Sequence, residues 1–237
     1  MPRLSIFVAV VAAVPAQAMA AQGPVCTPPL TLQQPHPELP TATEPSRILP
    51  MGGYTLAISW SPQYCRAHGR EPGNAFECGG AARFGFTLHG LWPDGVGAVW
   101  PQYCKSTPIL PPALIRRTMC STPSEQLIQH EWAKHGTCTA GSPSQYFRKS
   151  TRFYRSVRYP DMAALVREPL TVGGFKAAFA AANRAIPADA VRVTLSRDGW
   201  LDEIWLCLDR QLHYARCRPG SGGAPDAARV QVWRGER

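Results

Sequence analysis

Apolar positions in this chain change period several times, and each change marks an element. Tyr54-Thr55-Leu56-Ala57-Ile58-Ser59-Trp60 alternates with the two-residue period of a strand, and Ser61-Pro62 ends it. A second strand is expected from Phe84 to Leu91, between Gly79-Gly80 and a turn at Pro93-Asp94-Gly95. The period then becomes helical. Pro111-Pro112 opens a short helix through Met119, and Thr122-Pro123-Ser124-Glu125 starts another that ends at His135, before Gly136. From Ser142 to Tyr159, the residues Tyr146, Phe147, Phe153, Tyr154 and Val157 keep helical spacing. Shorter helices are expected at Asp161 to Arg167 and Gly174 to Ala185. Val191 to Leu195 and Leu201 to Leu208 flank Arg197-Asp198-Gly199 as a hairpin, with Leu212 to Cys217 as a third strand beside them. Strands that finish as a hairpin run predict an α+β fold with a mainly antiparallel central sheet, in one domain over residues 52–219.

The ends of the chain read differently. Met1-Pro2-Arg3, an apolar run from Leu4 to Ala16 and small residues at Ala16, Ala18 and Ala20 predict a secretory signal over residues 1–20. No later run approaches the length needed to span a bilayer, so the mature chain is expected to be soluble and exported, periplasmic or extracellular. Residues 21–51 hold eight prolines and no periodicity, which predicts an extended leader. His36 within it stands apart from any cluster. Residues 220–237 form a Gly- and Ala-rich tail expected to be loose until Val230.

Composition sharpens the export reading. All eight cysteines (Cys26, Cys65, Cys78, Cys104, Cys120, Cys138, Cys207 and Cys217) lie beyond the signal, an even set that predicts up to four disulfides in an oxidising compartment. Spacing alone singles out two short loops, Cys65 to Cys78 and Cys207 to Cys217. No paired CxxC motif supports structural zinc. The formal charge is +9, from 25 basic and 16 acidic residues, which favours a polyanionic partner. Arg148, Lys149, Arg152, Arg155 and Arg158 place much of it along one helix.

Chemistry concentrates in His130-Glu131-Trp132-Ala133-Lys134-His135-Gly136-Thr137-Cys138. Glu131 and His135 lie one helical turn apart, with Lys134 about 60° away. The His-Glu-x-x-x-His spacing puts the second histidine about 140° around the helix, unlike the i, i+4 pair of a zinc protease. No Gly-x-Ser-x-Gly is present, and a cysteine nucleophile would leave an odd disulfide set. A further histidine sits in Phe86-Thr87-Leu88-His89-Gly90-Leu91-Trp92-Pro93-Asp94. Two histidines on separate elements plus a cation suit metal-free phosphoryl transfer, in which a ribose 2′-OH attacks its own 3′-phosphate. One imidazole takes the hydroxyl proton, the other protonates the leaving oxygen, and no cofactor is required. Two unperturbed imidazoles would give a bell-shaped profile on the acidic side of neutrality.

These two segments resemble the active-site segments of the ribonuclease T2 family. The resemblance runs more faintly over residues 54–217, and it implies an α+β fold and cleavage of single-stranded RNA through a 2′,3′-cyclic phosphate, without metal. It implies His135 as general base, His89 as general acid, Lys134 and Glu131 as transition-state stabilisers, and His130 as a phosphate ligand. Trp92 would stack on a base and Asp94 would hydrogen-bond one, although an acid after proline is also an ordinary turn former. The resemblance further implies a Cys104 to Cys138 bridge, leaving Cys26 for Cys120. A monomer with no obligate protein partner is expected.

Overall fold

The computed structural model describes residues 26–80 and 83–235; the expected signal, residues 1–20, lies outside the described residues. At its centre are four antiparallel strands, β1 (Met51–Trp60), β2 (Phe86–Gly95), β3 (Val191–Leu195) and β4 (Leu201–Leu208), in the order β2-β1-β4-β3. On one face of β1, Leu56 pairs with Leu91 and Leu206, and Ile58 pairs with Leu88 and Ile204. All six side chains are at most 1% exposed, and each contributes roughly 1.5–3 kcal/mol by leaving water. Among the described residues, seven helices pack around the sheet: α1 (Ser61–His68), α2 (Ala75–Cys78), α3 (Pro112–Thr118), α4 (Glu125–Lys134), α5 (Pro143–Ser156), α6 (Met162–Leu165) and α7 (Val172–Ala182). Ile128 of α4, Phe147 of α5 and Phe175 and Phe179 of α7 join the same apolar core.

The sheet is the expected antiparallel one, but it is assembled differently. Leu212 to Cys217 adds no strand: β1 takes one side of Leu208, and on the other side, past the end of β3 at Val191, the segment meets β4 only briefly. Only a single bridge, Leu208 to Tyr214, remains there, and Leu212 has a φ of 67° that breaks an extended run. β2 does not turn at Pro93 but runs on to Gly95, which is possible because it is an edge strand where proline's missing N–H is tolerated. The excursion after Trp60 is helical rather than a loop; Pro62 sits in the first turn of α1, where no N–H is needed.

Both terminal segments are held. Cys26 is bonded to Cys120, Arg116 donates to the carbonyls of Pro29 and Leu30, and the Gln33 N–H donates to Glu125 at 3.1 Å. At the other end of the chain, Ala224 N–H donates to Val193 at 2.8 Å, Leu201 N–H to Gln231 at 2.7 Å, and Lys176 pairs with Asp226 at 2.9 Å. The tail is therefore packed well before Val230, because its backbone supplies partners that β3 and α7 lack.

Four disulfides are present: Cys26–Cys120, Cys65–Cys78, Cys104–Cys138 and Cys207–Cys217. Cys104–Cys138 joins the segment after β2 to the end of α4. Replacing both cysteines by serine should lower the unfolding free energy by about 2–5 kcal/mol, measured by urea unfolding without reductant. An unchanged unfolding curve would show that hydrogen bonds alone hold the join.

Candidate active site

The other face of β1 offers only Thr55, Ala57 and Ser59, so it makes a low floor. Across that floor Thr55 pairs with Trp92, Ala57 with Gly90 and Trp205, and Ser59 with Thr87 and Glu203. The β1–β2 register steps from Ala57–Gly90 to Ile58–Leu88, which leaves His89 as the extra residue of a β-bulge. Leu88 and Leu91 keep their places in the core. His89 and Gly90, consecutive in sequence, both belong to the floor side.

α4 supplies the opposing wall. The Ser124 hydroxyl caps its N-terminus by accepting from Leu127 N–H at 3.2 Å, and His135 closes its C-terminus. Glu131 is 1% exposed, yet its carboxylate is fully engaged. Trp92 Nε1–H donates to it at 3.1–3.2 Å, the Tyr146 hydroxyl donates at 3.1 Å, and His89 Nε2 lies 3.6 Å away. Gly90 makes this approach possible, because a Cβ there would meet Glu131 Oε2 at 1.7 Å. The segment between β2 and α4 is tied in by Tyr103 N–H to Lys134 carbonyl at 2.8 Å and Cys104 N–H to Thr137 hydroxyl at 3.1 Å.

The two histidines expected to share a site both border one indole. The Trp92 ring centre is 4.9 Å from that of His89 and 5.6 Å from that of His135. Their environments differ sharply. Burial alone would lower the His89 pKa, but a 2.6 Å hydrogen bond from Nδ1 to Glu203 and the charges of Glu131, Glu203 and Asp202 raise it to about 9. His135 is pushed well below 6.5 by burial first, then by the positive charge of His130, Lys134 and His89. Its Nδ1 is buried without a hydrogen-bond partner, which leaves Nε2 as its working nitrogen. Burial raises the Glu131 carboxyl above its usual range against the pull of His89, His130, Trp92 and Tyr146.

The remaining expected residues are placed as follows. His130 Nδ1 lies 3.1 Å from Glu38 and Lys134 Nζ lies 2.6 Å from Glu44, both carboxylates of the leader. Trp92 is part-buried; its N–H donates to Glu131 at 3.1 Å, which fixes the indole in its plane, and the Trp205 ring centre lies 5.6 Å from its own at a steep angle. Asp94 is the next floor-side residue after Trp92, and the Thr55 hydroxyl lies 3.1 Å from each of its oxygens. His130, Glu131 and His135 each offer one ligand atom within 4.8 Å of the others, the one such cluster among the described residues. The Glu131 oxygens and His130 Nδ1 in that cluster already have the protein partners named above. His36 and His68 stand outside the site.

A profile of the Ribonuclease T2 family matches residues 51–217. The chain belongs to the ribonuclease T2 family. Its similarity to a "Probable ribonuclease" of Haemophilus influenzae is 35% identity over 123 residues, covering 47% of this chain and 45% of that one. A "Ribonuclease" of Aeromonas hydrophila is 28% identical over 163 residues, covering 67% of this chain and 72% of that one. Among solved structures, the self-incompatibility-associated SF11-RNase of Nicotiana alata superposes with a TM-score of 0.58 at 20% identity, over 78% of this chain and all of that one. The T2 domain thus takes in all four strands and every α4 and β2 site residue, while Glu38 and Glu44 fall outside it.

Two residues of this T2 site escape a reading by motif. Glu203 comes from β4, 114 residues beyond His89, and besides His89 it accepts from the Ser59 hydroxyl at 2.8 Å and Trp205 Nε1–H at 2.7 Å. Its signal in the sequence is its phase: an acid on the same side of a strand as Trp205, where a solvent-facing residue would not need three partners. Tyr146 was legible only as an apolar helix position, yet its hydroxyl, 1% exposed at the residue level, reaches Glu131 and the Leu91 backbone. Gly90→Ala should displace Glu131 and lower RNA cleavage by roughly 10²-fold or more, as loss of one preorganised stabiliser does. Steady-state rates with a circular-dichroism check of folding would decide it, and wild-type activity in the alanine variant would remove Glu131 from the chemistry.

Proposed function

We propose that this chain is an exported endoribonuclease that cuts single-stranded RNA by transphosphorylation to 2′,3′-cyclic phosphates and then hydrolyses them to 3′-phosphates. The observation that carries this reading is the pair of imidazoles bordering Trp92 whose pKa values are driven in opposite directions. Such a split supports His135 as base and His89 as acid. His135, neutral, takes the 2′-OH proton at Nε2 as the 2′-oxygen attacks phosphorus. His89, protonated, gives its Nε2 proton to the departing 5′-oxygen. In the second step the roles reverse: His89 takes a proton from water, and His135 returns one to the 2′-oxygen.

Charge that grows on the phosphoryl oxygens meets Lys134, with His130 beside it on the same helix. Glu131 orients His89 Nε2 and holds Trp92 beside both imidazoles. Asp94 accepts from a base edge farther along the floor. Glu203 fixes His89 in the orientation that points Nε2 into the site and keeps that ring charged. The four disulfides support an oxidising compartment, periplasmic or extracellular, and the net charge of +9 suits a polyanionic substrate. No described helix is long and apolar enough to cross a membrane.

Digestion of a dinucleotide and of its DNA counterpart, with and without EDTA, tests the reaction. Cyclic and then 3′-phosphates from RNA, none from DNA, and indifference to chelator are expected. Equal cleavage of DNA would sink the 2′-OH mechanism, and inhibition by chelator would turn the His130, Glu131, His135 cluster into a metal site. His89→Ala and His135→Ala should each lower the rate by roughly 10²- to 10⁴-fold.

The pH profile follows from the signs. Activity requires neutral His135, so it rises as pH climbs past a value well below 6.5; it requires charged His89, so it falls as pH rises through about 9. The profile is therefore broader on its alkaline side than two unperturbed imidazoles allow. Glu203→Gln removes the hydrogen-bonding anion and should move the alkaline limb down toward 6.5, while leaving the acid limb in place. An alkaline limb that stays put would show that Glu203 does not tune His89.

A further inference from the structure

Two carboxylates of the leader sit on two basic side chains of the site, Lys134 and His130. Glu44 Oε1 is 2.6 Å from Lys134 Nζ, and Glu38 Oε2 is 3.1 Å from His130 Nδ1. These are the groups to which the proposed reaction assigns phosphate. The Lys134 side chain is 13% exposed and that of Glu44 45%, while those of His130 and Glu38 are 26% and 22%, so each contact has a part-buried partner on α4. Gln126 on α4 holds the Glu38 contact with His130 in place. It donates to Glu38 at 2.5 Å and accepts the His36 N–H at 2.7 Å.

The leader is also pinned on both sides of this crossing. Upstream are the Cys26–Cys120 disulfide and the Arg116 contacts to Pro29 and Leu30. Downstream, the Ser46 hydroxyl donates to Tyr103 carbonyl at 2.8 Å, and Arg47 bridges Gln102. Four prolines, at 35, 37, 40 and 45, stiffen what lies between, so holding it extended costs little chain entropy. Residues 26–47 thus form a strap fastened at two ends over the polar face of α4.

We propose that the leader is a built-in competitor for RNA phosphate, with Glu38 and Glu44 standing where two substrate phosphates bind. This rests on the reading of His130 and Lys134 as phosphate ligands. RNA seats at these residues only as the two carboxylates leave them. The strap therefore acts on binding and not on the proton transfers, which belong to His89 and His135.

The test uses the full chain with Glu38→Gln and Glu44→Gln together. Two quantities are read: KM for an RNA oligonucleotide, and Kd for the DNA oligonucleotide of the same sequence, which binds phosphate groups but has no 2′-OH. Both should tighten by about tenfold, with kcat unchanged, given two part-buried ion pairs removed. The dependence of log Kd on log salt should steepen by roughly 0.7 per freed cation. Unchanged or weaker binding of both ligands overturns the proposal and makes the strap a structural brace.

If circular dichroism shows the glutamine variant unfolded, Cys26→Ser with Cys120→Ser decides instead. It frees the upstream end with both carboxylates intact and should tighten binding in the same direction; failure to do so overturns the proposal equally. The two readings separate cleanly. Tighter DNA binding in a chain that never cuts RNA would retain the strap and discard the nuclease, and robust cleavage with unaltered binding would do the reverse.

Discussion

A carboxylate buried against a strand backbone organises this protein. Glu131 has no solvent to share its charge, so each oxygen must be met by protein, and an unmet charge there would cost several kcal/mol. Trp92 and Tyr146 provide the donors, and Gly90 provides the space by having no side chain. The three come from β2 and α5, while Glu131 itself comes from α4. Satisfying one anion therefore sets the distance between three elements, and with it the places of His89 and His135.

The same small volume drives the pKa of one imidazole up and that of another down. The difference lies in what each ring nitrogen touches. His89 has Glu203 on one nitrogen and Glu131 near the other, and these anions outweigh its loss of solvent. His135 closes a helix, a position whose dipole favours a cation, but it is shut in with Lys134 and His130 as neighbours and has no partner for Nδ1. Burial and like charge prevail over the dipole. Neither outcome follows from residue type, because both residues are histidines on the walls of one cleft.

What was legible in the sequence is what depends on near neighbours. Alternation at Tyr54 to Trp60 and Leu201 to Leu208 marks the two central strands, and Ser124 and Gly136 frame α4 because capping is a local matter. The crowding of Glu131, Lys134 and His135 within one helical turn shows at once where chemistry sits. The bulge at His89 is not visible, since it is a property of register between two strands. Glu203 is hidden for the same reason, its role being fixed by a partner 114 residues away. The leader and tail look structureless because their backbones find hydrogen bonds on other elements, which periodicity cannot register. Trp92 is legible as a strand-end aromatic, but the hydrogen bond of its N–H to Glu131 is not, because that partner lies 39 residues away.

The covered margins of the sheet have a consequence for how the molecule behaves among its own copies. A four-stranded sheet ends in two rows of unpaired backbone groups, each a template on which another chain can add. Here the turn before α4 caps one margin, with Leu88 N–H donating to Ser121 and the Thr122 hydroxyl donating to Leu88, and the Tyr146 hydroxyl meets Leu91. The other margin is closed by Ala224 on Val193. Residues near the C-terminus thus act as a guard rail on β3. A chain shortened before residue 224 would keep every residue of its cleft but bare the edge of β3, a place where copies of the chain could add to one another.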